Sequence, residues 1–122
     1  MKRLFVACLT SFASAYALAH GDLQPAHGGV IEEGALVTVE LVAKPGGLAV
    51  YLSDHGKAMD AKGASGSVIV LGGGGKVEAK LTPADGNALS ATGNFKLGSG
   101  SKAIVKLSVP GKGDDQIRFS IK

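Results

Sequence analysis

The side chains of this sequence that could hold a ligand by chemistry are few and fall in two places. One is His20-Gly21-Asp22-Leu23-Gln24-Pro25-Ala26-His27-Gly28-Gly29, and the other is Asp54-His55-Gly56-Lys57-Ala58-Met59-Asp60. Imidazole, carboxylate and thioether groups are metal donors, and glycine-punctuated stretches leave them free to reach an ion instead of filling a core. Cleavage after Ala19 would make His20 the first residue. Its α-amine (reference pKa ~7.7–8.0) and its imidazole (~6.5) would then chelate one ion through a six-membered ring. Copper(II) favours such nitrogen donors in tetragonal geometry, and zinc or another divalent cation could use the same atoms. The expected metal site is therefore drawn from His20, His27, Asp54, His55 and Met59.

That chemistry depends on export, and the N-terminus has the form of an export signal. Lys2 and Arg3 give a positive start, Leu4 to Ala15 is apolar, and Ala17-Leu18-Ala19 offers small residues where a signal peptidase cuts. The apolar run is shorter than the ~20 residues a membrane-spanning helix needs. Residues 1–19 read as a cleaved signal and 20–122 as one periplasmic domain. A lipoprotein reading would need a longer apolar stretch before Cys8 than Leu4 to Ala7.

Cys8 is the only cysteine. The domain after the signal therefore has no disulfide, no thiolate zinc or iron–sulfur site and no blue-copper thiolate, so any metal is held by nitrogen, oxygen or thioether. Two of the 13 basic residues are Lys2 and Arg3, which leaves 11 against 10 acidic ones. Without a basic run interleaved with aromatics, nucleic acid is not an expected partner.

The elements that must position these residues read as strands. All 19 glycines follow the signal, and glycine in a helix costs roughly 1 kcal/mol relative to alanine, so helices are disfavoured. Val37, Val39, Leu41 and Ala43 alternate with more polar neighbours up to Lys44-Pro45-Gly46-Gly47, after which Leu48, Val50 and Leu52 alternate in turn. Val68-Ile69-Val70-Leu71 reads as a strand buried on both faces. Gly72 to Gly75 is a hairpin leading to Val77, Ala79 and Leu81. Shorter strands are expected at Ala88–Ala91 and Asn94–Leu97, and longer ones through Ala103–Val109 and Ile117–Ile121. Seven or eight short alternating strands imply an all-β antiparallel sandwich or small barrel, and an immunoglobulin-like Greek-key sandwich is the expectation.

Each candidate also has an ordinary reading. His20 alone is a terminal residue, and an exposed loop histidine is usually a solvated one. Asp54-His55-Gly56 could be a turn with Asp54 as its Asx acceptor, and Met59 could cap the core edge. Catalysis is not expected. No Ser/His/Asp set stands in a hydrolase context, and two tyrosines, one of them in the signal, with no tryptophan give little material for an oxidase substrate platform.

His27-Gly28-Gly29-Val30, Glu40-Leu41-Val42, Val50-Tyr51-Leu52, Asp54-His55-Gly56 and Lys62-Gly63-Ala64-Ser65-Gly66 together resemble small exported proteins, and accessory segments of periplasmic adaptor subunits, from bacterial heavy-metal efflux systems. A terminal histidine on a small sandwich is also similar to copper-resistance periplasmic proteins. The resemblance implies metal handling in the envelope, with an efflux adaptor as a partner. The contrasting expectation is a non-catalytic interaction module whose histidines are incidental.

Overall fold

The computed structural model describes residues 23–122. The signal segment and His20 lie outside the described residues. Nine strands follow in order: β1 (Val30–Glu33), β2 (Thr38–Lys44), β3 (Gly47–Asp54), β4 (Lys57–Ala58), β5 (Ser65–Gly72), β6 (Gly75–Pro83), β7 (Ala88–Thr92), β8 (Lys102–Val109) and β9 (Gly113–Ser120). There is no helix among the described residues. None is therefore long and apolar enough there to cross a membrane.

Every ladder is antiparallel, and the strands run β1-β2-β3-β7-β6-β5-β8-β9, with β4 folded back on β3. The sheet curls until β1 comes beside β9, so the molecule is all-β and nearly barrel-shaped. A period of two places one side-chain set inside: Val39, Leu41, Val50, Leu52, Val68, Leu81, Leu89, Val105, Ile117 and Phe119 are buried. Aliphatic residues of similar size fill this core, with Phe119 its largest side chain.

Asp115 fastens the seam between the first and last strands. Its carboxylate accepts the backbone N–H groups of Ala35 (3.2 Å), Leu36 (2.7 Å) and Val37 (3.2 Å) from the β1–β2 turn. Gly34 permits this approach, because a Cβ there would collide with the Asp115 carboxylate and Ile117. Burial works against ionising Asp115, but the four N–H groups of Leu36, Val37, Ala35 and Gln116 outweigh it and hold the carboxyl below its usual range.

Two details differ from the sequence-based expectation, and a third segment takes up the turn reading given for it. Val68–Leu71 is buried on one face only, since Val68 and Val70 point inward while Leu71 is 40% exposed. Asn94–Leu97 is not a strand; Phe95 and Leu97 instead pack from an irregular segment against the core. The segment after Asp54 contains a short hairpin, with Asp54 opposite Lys57 and a two-residue turn of His55 and Gly56.

Val105 and Leu107 are buried on β8, while Lys106 between them is exposed. Val105→Asp or Leu107→Asp buries an unpaired carboxylate at a cost of several kcal/mol against a total stability of ~5–15 kcal/mol, so each is expected to give unfolded or insoluble protein. Lys106→Asp is expected to leave the melting temperature within a few degrees. Equal tolerance of all three in thermal melts would contradict the strand register.

Candidate functional site

The segment before β1 crosses the outer face of β2 and β3 instead of leaving the sheet. Ile31, Glu40, Tyr51 and Ala88 stand opposite one another across β1, β2, β3 and β7, on the side away from the core. Outward residues of a solvated sheet are normally exposed, yet Glu40 is only 4% exposed. The covering is the segment 23–29.

Glu40 holds that segment in place. Its Oε1 accepts the N–H of Ala26 (3.0 Å), and its Oε2 accepts the N–H groups of His27 (2.9 Å) and Gly29 (2.8 Å). Gly28, at φ +74°, turns the chain so that these amides converge. Gly29 can approach because a Cβ there would strike the Leu41 carbonyl and the Val42 side chain. Burial opposes ionisation of Glu40. The N–H of Gly29, the His27 ring and the N–H groups of His27 and Ala26 together prevail, and the carboxyl lies below its usual range.

The same carboxylate orients an imidazole. His27 Nδ1 lies 3.1 Å from Glu40 Oε1, and an ionised carboxylate can only accept, so Nδ1 carries the proton and donates it. The lone pair of neutral His27 is then on Nε2, which makes no hydrogen bond among the described residues. The ring is clamped from the side as well, stacked on Tyr51 with centroids 3.7 Å apart and planes 5° from parallel. Lys44 Nζ lies 5.8 Å from the Tyr51 centroid. His27, Glu40 and Tyr51 line a cleft of about 440 Å³ with Leu23, Gln24 and Asn87. A histidine donating one ring nitrogen to a carboxylate and presenting the other is the usual arrangement of a metal-ligating histidine.

The second group of candidates is built differently. His55 and Gly56 both have positive φ (50° and 83°), as the two central residues of a type I′ hairpin turn require. His55 is 94% exposed, with Nε2 3.4 Å from Asp54 Oδ1. Asp54 Oδ2 is also bound by Lys112 Nζ at 2.9 Å, and the Lys112 hydrogen bond leads the effects that hold the Asp54 carboxyl below its usual range. Met59 is half-buried and packs against the core. Asp54 and His55 line a small hollow that shares no residue with the His27 cleft. Among the described residues, no three His, Cys, Asp or Glu side chains converge as a metal-holding group. Ser53, Gly56 and Ala58 of the His55 hairpin line the His27 cleft although His55 itself does not, and His20 lies outside the described residues.

Glu40 and Tyr51 are the site residues that sequence reading passed over. Their strand positions marked them as outward, and only His27-Gly28-Gly29, with two side-chain-free positions ahead of a strand, hinted at amides gathering around an acceptor.

Glu40→Ala leaves three amides and a ring N–H without their acceptor, a loss of about 1–3 kcal/mol, and thermal melting should show it as a clear drop. The folded pKa values of Glu40 and Asp115 are both depressed, so their stabilisation is complete above the unfolded values of ~4.3 and ~3.9 and disappears as pH falls through the folded ones. Melting temperature should therefore fall on acidification below about pH 4.3, and less steeply in a Glu40→Gln/Asp115→Asn variant. An unchanged slope in that variant would contradict both carboxylate assignments.

Compared with known proteins, the chain matches no family model, no characterised protein sequence and no solved structure.

Proposed function

We propose that this chain is a non-catalytic periplasmic metal-binding protein, loaded with copper, that buffers the ion or hands it to an efflux system. The observation that carries the reading is the His27–Glu40 pair: Nδ1 is committed to a buried carboxylate, Nε2 makes no hydrogen bond among the described residues, and His27 lines a cleft. His20 is seven residues upstream in the sequence and would offer its amine and imidazole if export leaves it as the first residue. The ligand set proposed is the His20 amine and imidazole with His27 Nε2. Asp54 and His55 add a weaker exposed pair, and Met59 is proposed as a core residue instead of a thioether ligand. Zinc remains the alternative ion for an all-nitrogen set.

The immunoglobulin-like Greek-key sandwich is retained as the architectural reading. It is supported by the order β8-β5-β6-β7, in which three consecutive strands are followed by a fourth returning beside the first. The second functional reading, an envelope interaction module with incidental histidines, is favoured by the solvent-exposed His55.

Copper(II) titration of the processed protein, followed by calorimetry, decides between the two. One ion is expected per chain, with affinity falling as pH drops because protons compete for the same nitrogens. His27→Ala, or one additional residue before His20, should weaken binding at least ~10-fold, in the range of losing a ligand or its support. His55→Ala should leave it within about two-fold. Equal affinity in the wild type, His27→Ala and the extended chain would eliminate the site and leave the interaction module.

A further inference from the structure

The outer face of β6-β5-β8-β9 carries a charge pattern that the metal reading does not use. Strand register sets its rows: Leu71 lies between Lys76 and Lys102, Ile69 between Glu78 and Ile104, and Ser67 between Lys80 and Lys106. Arg118 stands beside Ile104 on β9. Lys76, Lys80, Lys102, Lys106 and Arg118 are all exposed, and none is ion-paired among the described residues. The opposing charges on this face are Glu78 and Asp114. Its centre is apolar, with Leu71 exposed and Ile69 and Ile104 half-buried.

We infer that this face docks on an anionic phospholipid surface. Lys76 and Lys102 flank β5 at one level and Lys80 and Lys106 at another, so the four ammonium groups start from a rectangle of roughly 10 Å by 14 Å, two strand spacings by four residues. A single extended acidic polypeptide presents its charges along a line and would meet only one side of that rectangle. A lipid surface presents them in two dimensions. Cations around a shallow aliphatic centre also suit a headgroup boundary, where lysine stems lie on apolar material while their ammonium groups reach phosphates. At one end of the face, Ser65, Ser67, Ser108, Lys106 and Gln116 line a hollow of about 620 Å³ with donors for a phosphate, alongside two carboxylates, Asp114 and Asp115.

The test is co-sedimentation of the processed protein with vesicles of phosphatidylglycerol and phosphatidylcholine against phosphatidylcholine alone, at about 50 mM and 300 mM salt. Binding is expected only to the anionic vesicles, and weaker in the higher salt. Each basic residue near an anionic surface strengthens binding roughly five-fold, so Lys80→Gln/Lys106→Gln should weaken it roughly 25-fold. Lys57→Gln/Lys62→Gln makes the same charge change at exposed positions off this face and should reduce binding far less. All four positions are exposed, so both variants are expected to melt like the wild type. Absence of binding to anionic vesicles, equal loss in the two variants, or binding to poly-glutamate but not to vesicles would overturn the inference.

Discussion

One buried carboxylate organises the face of this molecule that the segment before β1 crosses. Glu40 occupies an outward position on a strand whose inward neighbours Val39 and Leu41 are core. It is covered because it gathers the amides of Ala26, His27 and Gly29. Desolvating a carboxylate is costly unless its lone pairs are satisfied, and here three backbone N–H groups and an imidazole N–H satisfy them. The segment 23–29 thus becomes a strap on the sheet, and His27 acquires a fixed ring plane and a fixed tautomer. Without Glu40, His27 would be one more solvated histidine ahead of the first strand.

Asp115 performs the corresponding task at the seam. A nearly closed sheet leaves β1 and β9 side by side without a ladder between them, and unpaired strand edges are a liability. The Asp115 carboxylate bridges the gap by accepting amides of the β1–β2 turn, about 80 residues away in sequence. Both acidic residues act through backbone N–H groups, and both rely on a neighbouring glycine, Gly29 or Gly34, whose missing Cβ allows the approach. The fold is fastened at each end of its first strand by a carboxylate, while the aliphatic core supplies the bulk of the driving force.

The strands were legible because period-two alternation is local. Val105, Lys106 and Leu107 read correctly from three consecutive letters. What covers the outer face is not local, and there the sequence misled. Glu40 looked like ordinary outward polarity because its partners lie 11 to 14 residues away. Val68-Ile69-Val70-Leu71 suggested burial on both sides, whereas nothing among the described residues fully covers Leu71. The short apolar stretch at Phe95 and Leu97 carried a strand-like composition, yet its side chains plug the core from an irregular segment. Of the candidate donors, His27 and His55 were both marked by glycine flanks, and the sequence could not show that one would be held by a buried carboxylate and the other exposed on a hairpin tip.

The central claim is that Glu40 fixes the proton of His27 on Nδ1 and offers Nε2 to a metal. Long-range proton–nitrogen correlation spectra of the histidine rings at about pH 8, recorded before and after adding zinc(II) as a diamagnetic ion, test it most directly. The account predicts an Nδ1-protonated tautomer for His27, with the Nε2 resonance moving on metal addition. An Nε2-protonated tautomer, or an Nε2 resonance indifferent to the metal, would contradict it.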